Sequence, residues 1–458
     1  MVWLVVGAGK SGIAAARLLA SKGEVVRISE AKAIDREKKD LLGTLGIELC
    51  DGGHNTDHFE NVSHIVPSPG VPLKSGFLSS KASKGIPIVS EVDLGLKDYS
   101  GSLFAVTGTN GKSTTCALIG HLLQTLGKHT QIGGNFGTPP SEFRILGPLA
   151  DHFVLEISSY QLETVKHITP ICSVFTSFSQ DHMQRHGDLE SYFRLKWKIF
   201  DLLPPSGHGI TTPEVFSYAK KLNLTGDLHP RMSLTLVGTE DEFRKFDAPP
   251  GKHITVNKNG KIRFKDDAIT LKDLPALAGL HNTLNVAFAF AALNCAFEEV
   301  SLHTLASALD SFRGLKYRCE LMGTFKGFPI INDSKSTNLE SVQVALSTMP
   351  ANDPFILLLG GQSKGEDFKP LANYLNPNVH IFTFGQAGKE IAQAIGKNLR
   401  VACYPTLSTC MNHLKTMMDT SSMPILFSPG CASFDEFANF EHRGEFFEAS
   451  ILKWGIAR

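Results

Sequence analysis

Lys112, Ser113 and Thr114 stand directly behind the turn Thr107-Gly108-Thr109-Asn110-Gly111, and an apolar run, Leu103 to Val106, leads into it. From Lys112 to Leu123 the apolar residues return at helical spacing. A strand, a glycine turn and a helix opening on Lys-Ser-Thr set backbone N–H groups and the positive end of a helix against an anion. There Lys112 would reach the outer phosphates of a nucleotide, and the hydroxyl of Ser113 or Thr114 would ligate Mg²⁺. An ordinary helix start with a solvated lysine is the plainer alternative, and the elements on either side argue against it. A strict P-loop has glycine where Val106 stands, so this is a compact variant.

Other residues offer chemistry further along. Glu156 closes the apolar run Phe153-Val154-Leu155, where a carboxylate needs a cation, either a lysine or a metal ion. Asn135 presents an amide on a flexible turn, residues 133–137. His182 lies in the polar loop Gln180 to Gly187, as a structural residue or a ligand, and a helix expected over 189–203 carries Lys196 and Lys198. Arg318 offers a planar fork for phosphate, or is a surface arginine. Asp333, Lys335 and Thr337 form a polar cluster behind the strand Ile330-Ile331, and Lys364 sits behind the strand 355–359.

Nearer the N-terminus, Gly7-Ala8-Gly9-Lys10-Ser11-Gly12 follows a strand over 3–6 and precedes a helix over 13–22. Glu30 stands just past the next strand, 25–28, with Lys32 beyond it. This meets the Gly-x-Gly-x-x-Gly fingerprint with an acidic residue for a ribose hydroxyl, and alone it says NAD-dependent dehydrogenase. The same turn serves any phosphate-bearing ligand. Pro67-Ser68-Pro69-Gly70-Val71-Pro72 is a rigid loop after a strand, either a surface turn or part of a ligand site.

The scaffold that positions these residues is long. At 458 residues it implies two to four domains, and 42% hydrophobic with 20% charged residues is ordinary for a globular protein. Strands alternating with helices imply α/β architecture, with residues 206–275 read as an antiparallel excursion. Lys+Arg and Asp+Glu balance at 45 each, which removes the electrostatic case for nucleic acid or anionic membrane partners. The eight cysteines are scattered without Cys-x-x-Cys, which fits a reducing compartment rather than a disulfide framework or structural zinc. The apolar start lacks a basic n-region and no stretch approaches a membrane span, so a cytoplasmic protein is expected.

Several motifs carry a resemblance. Thr107 to Thr114 resembles the loop of the Mur ligase superfamily, which includes the folylpolyglutamate synthases. Ser68-Pro69-Gly70 resembles the uridine-binding domain of the Mur ligases, which folylpolyglutamate synthases lack. Glu156 to Leu162, Asp181 to Gly187, Tyr192 to Lys198, Leu277 to Asn285 and Gly314 to Glu320 are similar to further family motifs, in family order. Ser428 to Gly444, with Ser433, Asp435, Phe440 and Arg443, resembles the C-terminal signature of the D-glutamate-adding members. The chain departs from the family pattern at Tyr317 (usually histidine), Gln362 (usually aspartate) and Gly430 (commonly alanine).

The resemblance implies three domains: a Rossmann-like uridine-nucleotide domain over 1–97, a central P-loop domain with a parallel sheet over 98–297, and a Rossmann-like α/β domain over 298–458. It implies an ATP-dependent ligase of peptidoglycan synthesis that joins D-glutamate to UDP-N-acetylmuramoyl-L-alanine through an acyl phosphate. ATP falls to Gly108, Thr109, Asn110, Gly111, Lys112, Ser113, Thr114, Asn282, Arg318 and Asp333. The UDP substrate falls to Gly9, Lys10, Ser11, Glu30, Lys32, Ser68, Gly70, Asn135 and His182. D-Glutamate falls to Lys335, Thr337, Lys364, Ser433 and Phe440. Two Mg²⁺ ions fall to Ser113, Glu156, His182 and a carbamylated Lys196, with Lys198 as the competing lysine. Lys112, Glu156, His182, Lys196 and Arg318 would be catalytic. A monomer is expected, with substrates between domains and the C-terminal domain closing on ATP. A dehydrogenase, a Mur-type ligase with another amino acid, and a silent UDP-sugar binder are the alternatives.

Overall fold

The computed structural model describes residues 1–74, 76–82, 85–246, 251–271, 277, 279–297, 300–350, 352–396 and 399–456. Short β-branched and leucine-rich runs with little polar alternation, such as Leu4-Val5-Val6 and Ile356 to Leu359, are buried on both faces. Such runs suit parallel sheets covered on each side by helices. Among the described residues they form three sheets.

The first sheet joins Val2–Val6 (β1), Val25–Ser29 (β2), Glu48–Cys50 (β3) and Val62–Pro67 (β4), all parallel, in the order β3-β2-β1-β4. The second takes Ser102–Thr107 (β5), Thr130–Gly134 (β6), His152–Glu156 (β7), Cys172–Phe175 (β8), His208–Thr211 (β9), Ser233–Thr239 (β10), Lys252–Val256 (β11), Lys261–Phe264 (β12) and Asp267–Thr270 (β13). Their order is β13-β12-β11-β10-β9-β8-β5-β7-β6. β5 lies between β7 and β8, so chain crossovers leave it on both sides and a crevice opens at its carboxyl end, where ligands bind in open α/β sheets. The nucleotide loop begins there.

The third sheet joins Glu320–Phe325 (β14), Phe328–Asn332 (β15), Ile356–Gly360 (β16), His380–Phe384 (β17), Arg400–Cys403 (β18) and Ile425–Gly430 (β19) in the order β14-β15-β19-β16-β17-β18. Only the β14–β15 pair is antiparallel. Met1–Thr270 with Leu284–Leu309 form one compact unit, which holds the first two sheets. Leu271–Thr283 with Asp310–Arg458 form the other, which holds the third. The boundary expected at 297/298 meets Glu298, outside the described residues, as does Ala278 of the Leu277 to Asn285 motif.

Four local expectations are corrected. The helix after β1 is Lys10–Ser21, so Lys10, Ser11 and Gly12 belong to its first turn rather than to the loop, with Gly9 as the capping residue. Residues 133 and 134 are the end of β6, not a turn. The helix from Leu189 stops at Trp197, where the chain turns so that Ile199 and Phe200 enter the core. Residues 206–275 are not an antiparallel excursion throughout: β9, β10 and β11 continue the parallel sheet, and only β12 runs against it, paired antiparallel with β11 and β13. The helices that allow this, Pro213–Lys221 and Glu240–Lys245, start at Thr212 and Thr239, whose hydroxyls accept from Val215 and Glu242 N–H. No described helix is long and apolar enough to cross a membrane.

Candidate active site

The turn behind β5 is built by two glycines for different reasons. Gly108 has φ +151°, and a Cβ there would lie 2.0 Å from Thr176 Oγ1; Gly111 has φ +83°, and a Cβ would lie 2.6 Å from Asn285 Oδ1. No side chain fits either place. Lys112, first residue of the helix Lys112–Thr125, curls back over this turn and donates to the carbonyls of Gly108 (2.9 Å) and Thr109 (2.7 Å). Asn110 N–H donates to Ser177 Oγ, and Thr176 Oγ1 donates to Asn110 O. The loop is therefore braced by the segment after β8, with an ammonium group held at its mouth.

Glu156 ends β7, one strand away, and is 1% exposed. Its Oε2 accepts from the Ser113 hydroxyl at 2.5 Å and its Oε1 from the Asn135 amide at 2.6 Å. Asn135 is brought in by the close passage of β6, since Asn135 N–H donates to the Glu156 carbonyl. A buried carboxylate oriented by a hydroxyl and an amide is suited to a cation. Among the described residues no group of three or more His, Cys, Asp or Glu side chains could by itself hold a metal ion.

The neighbouring helix Leu189–Trp197 gives the two candidate lysines different surroundings. Lys198 is exposed, whereas Lys196 is 2% exposed. Lys196 Nζ donates to the Gly108 carbonyl at 2.6 Å and lies 4.9 Å from the centre of the Tyr192 ring. Burial above all, and the Lys112 ammonium next, hold the Lys196 amine well below the usual lysine range, against Asp181 and Glu156. His182 takes a left-handed backbone, φ +55°, and its Nε2 lies 3.4 Å from Asp181 Oδ2 with its ring against Tyr160. A non-glycine residue in that conformation is uncommon and is a mark of function or strain.

The fingerprint turn of the first sheet is occupied by the protein itself. Glu30 Oε2 accepts from Ala8 N–H at 2.6 Å, and Glu30 Oε1 from Lys32 N–H. The acidic residue thus covers a backbone donor that a dinucleotide pyrophosphate would use. Lys10 Nζ donates to the Gly137 carbonyl, turning the start of the first helix toward Asn135. The Ser68 hydroxyl donates to the Gly7 carbonyl, Gly70 is exposed, and Ser11 is half-buried at the helix start.

In the other unit the candidate residues gather where β15, β16 and β19 end. Asp333 is buried; its Oδ2 accepts from the Ser428 hydroxyl (2.7 Å) and its Oδ1 from Cys319 N–H (3.1 Å). Burial pushes its carboxyl up to about 6. Arg318 is half-buried between Tyr317 (φ +64°) and Cys319 (φ +43°), both left-handed. Lys335 Nζ lies 3.6 Å from the centre of the Phe440 ring, a cation–π contact that fixes the ammonium. Ser433 is 2% exposed, Thr337 is half-buried beside Lys335, and Lys364 N–H donates to Glu366. Asn282 lies in the first turn of the helix Leu280–Ala296.

The comparisons with known proteins agree in kind with this geometry. Residues 106–293 match the Mur ligase middle domain, and residues 2–90 match the Mur ligase MurD-like N-terminal domain. The UDP-N-acetylmuramoylalanine--D-glutamate ligase of Koribacter versatilis is 33% identical over 98% of this chain and 97% of its own. The chain belongs to the Mur ligase family. The ligase of the same name from Syntrophus aciditrophicus is 32% identical over the same shares. Among solved structures, the MurF ligase of Thermotoga maritima in complex with ADP shares the fold, with a TM-score of 0.58 and 17% identity, covering 94% of this chain and 96% of that one.

Two departures from the usual Mur ligase residues are absorbed structurally. The Tyr317 ring packs against Gly444, where a Cβ would come within 2.5 Å of it. Gln362 exchanges both backbone hydrogen bonds with Ala432, a pairing that does not depend on the side chain.

Sequence reading gave no role to Arg443, Asn285 or Glu91. Arg443 is wholly buried and donates to Ser334 Oγ and O and to the carbonyls of Cys431 and Ala432. It binds the loop before Lys335 to the loop before Ser433, and an arginine in the Ser428 to Gly444 motif was the available signal. Glu91 is buried where the first and second sheets meet. Ser141 N–H donates to its Oε1, and its Oε2 has no hydrogen-bond partner among the described residues. Burial pushes Glu91 up to about 7 from 4.5. The folded state thus holds this proton more tightly than the unfolded chain. Its contribution is full below about pH 4.5 and is lost as pH rises through 7, on the order of 3 kcal/mol. Urea unfolding at pH 5 and pH 8 checks this: Glu91→Gln is expected to flatten the fall in midpoint seen in the parent, and equal falls in both would refute it.

Proposed function

We propose that the chain is an ATP-dependent amide ligase adding D-glutamate to UDP-N-acetylmuramoyl-L-alanine, with release of ADP and phosphate, in peptidoglycan precursor synthesis. Near-full-length similarity to ligases of that name carries the reading. ATP phosphorylates the alanyl carboxylate, the D-glutamate amine attacks the acyl phosphate, and the tetrahedral intermediate collapses to amide and phosphate. Phosphoryl transfer between anions is governed by positioning and charge.

The roles below follow the family resemblance, and the geometry described above is compatible with them. The loop from Gly108 to Gly111 presents N–H groups to phosphate, with Thr114 beside it, and Lys112 exchanges its carbonyl partners for phosphate oxygens. Bound through Ser113, Glu156 and His182, two Mg²⁺ ions would neutralise phosphate charge. Lys196 is the lysine that CO₂ would carbamylate: burial holds its amine below the usual lysine range, which favours the neutral form that adds CO₂, and it sits against the loop. Asp333 serves the ribose, Asn282 the adenine and Arg318 the phosphates. Gly9, Lys10, Ser11, Glu30, Lys32, Ser68, Gly70 and Asn135 serve the UDP substrate, and Lys335, Thr337, Lys364, Ser433 and Phe440 serve D-glutamate. Residues 1–97, 98–297 and 298–458 divide these tasks. The protein works as a monomer in the cytoplasm, without a membrane or nucleic acid partner.

Phosphate release from ATP with the UDP substrate tests the reading, offering D-glutamate, L-glutamate, L-alanine, L-lysine and meso-diaminopimelate in turn. Turnover is expected with D-glutamate alone; turnover with another amino acid would overturn the substrate assignment. Ser433→Ala is expected to raise KM for D-glutamate about tenfold, the worth of one hydrogen bond to a charged group, with KM for ATP unchanged.

A further inference from the structure

His182 and Lys196 are joined by three rings that the reaction described above does not use. Tyr192 and Lys196 lie four residues apart on the helix Leu189–Trp197, on one face, and Lys196 Nζ is 4.9 Å from the centre of the Tyr192 ring. His182 and His186 are four apart too, across the single turn Met183–His186, whose His186 N–H donates to the His182 carbonyl. Tyr160 lies against both histidines, its ring centre 5.1 Å from that of His182 and 5.5 Å from that of His186. His186 and Tyr192 stack at 4.9 Å, their planes 23° apart, and complete the series. Contact thus runs from His182 through Tyr160, His186 and Tyr192 to Lys196.

We propose that His186 is a positioning residue: held by Ser159 and packed against both Tyr160 and Tyr192, it fixes His182 and Lys196 relative to each other. This rests on the ligase reading for what those two residues do; how they are held is read from the contacts themselves. His186 Nε2 and the Ser159 hydroxyl share a hydrogen bond of 3.0 Å, so the ring is pinned at one edge while it packs against two others. Ser159 is 3% exposed and opens the helix Ser159–Leu162. A reciprocal cap fixes that helix just beyond Glu156: Gln161 N–H donates to Ser158 Oγ, and Ser158 N–H to Gln161 Oε1. Tyr160 is steadied in turn by Arg185, whose Cζ lies 5.1 Å from its ring centre and whose Nε and Nη2 donate to the two carboxylate oxygens of Glu163.

At the other end the same series bears on the nucleotide loop. The Tyr192 hydroxyl lies 3.4 Å from Thr109 Oγ1, and Lys196 Nζ donates to the Gly108 carbonyl at 2.6 Å. A lysine side chain is long and loses much freedom when it is fixed, so its direction depends on what it touches. Stacked rings are rigid and hold a direction across several residues. Without the His186 ring, Tyr192 loses the support that links it to Tyr160, and Lys196 and the loop lose theirs with it.

The test compares His186→Leu, which keeps the volume and removes the ring face, with His186→Phe, which keeps the ring, both in the full-length protein. His186→Leu should lower kcat about a hundredfold with KM for D-glutamate unchanged, the size of effect expected when reacting groups are misplaced. His186→Phe should lose less than about tenfold, the worth of the Ser159 hydrogen bond. Binding of ADP, read by calorimetry without turnover, should weaken about tenfold in His186→Leu and be retained in His186→Phe. Tyr160→Leu cuts the series on the His182 side only, so kcat should fall while ADP binding holds. Parent-like kcat or ADP binding in His186→Leu overturns the proposal, as do equal losses in His186→Leu and His186→Phe. Should His186→Leu fail to fold, an unchanged kcat in Tyr160→Leu overturns it alone. Absence of D-glutamate turnover in the parent would instead remove the ligase reading, and ADP binding would then decide between the variants.

Discussion

Lys196→Ala is expected to lower kcat on the order of a thousandfold, and acetate in millimolar amounts to restore part of it. The amine is 2% exposed and stands 2.6 Å from the Gly108 carbonyl, so an alanine leaves a hole into which a small carboxylate can move. Lys196→Arg keeps the positive charge but cannot add CO₂, since its guanidinium stays protonated. If the residue serves only as a cation, arginine should retain activity; if it serves as a carbamate, arginine should be as inactive as alanine. The pH dependence has a definite sign. Burial holds the amine below the usual lysine range, so the neutral form that adds CO₂ persists toward neutral pH. CO₂-stripped enzyme should therefore recover with added bicarbonate at pH 8 and less well as pH falls. Full activity after stripping, or no acetate rescue of alanine, would remove the carbamate.

Glu156→Gln should cost between about a hundredfold and ten-thousandfold in kcat. Both Ser113 and Asn135 donate to this carboxylate. Glutamine supplies one acceptor and one donor, so one of the two partners meets a donor instead, and the negative charge is lost. Raising Mg²⁺ should not recover it. Asn135→Ala provides the contrast. It removes the amide that orients Glu156 as well as the proposed contact to the UDP substrate, so apparent Mg²⁺ affinity should weaken by about ten- to a hundredfold and KM for that substrate should rise, while kcat returns at high Mg²⁺. A rise in KM for the UDP substrate with Mg²⁺ affinity unchanged would remove the role on the carboxylate.

The sequence made the strand, turn and helix around Lys112 legible because glycine, lysine and hydroxyl residues there have few other uses in that order. Glu156 was legible for a related reason: an acid at the end of an apolar run must meet something. The parallel course of β9, β10 and β11 was not legible, because their alternating segments look the same whether a strand pairs with its neighbour in either direction. Only Thr212 and Thr239 marked the crossover helices. Burial separates Lys196 from Lys198, since two positions along the chain turn a side chain from core to solvent. Glu30 was legible only as an acid just past a strand, and its acceptance of Ala8 N–H was not. Arg443 stayed silent because its four acceptors lie on loops about a hundred residues apart in the chain or on its own segment.

That arginine limits how the C-terminal unit can change. Its guanidinium faces carbonyls and a hydroxyl rather than a carboxylate, so no second substitution nearby can compensate for its loss by removing an opposite charge. The loops it joins, around Ser334 and Cys431, can exchange the residues that face a substrate as long as their carbonyls stay in place. If Lys335, Thr337, Ser433 and Phe440 hold the amino acid as proposed, new preferences are open to drift there, while the pin beneath them is held by backbone chemistry that no codon changes.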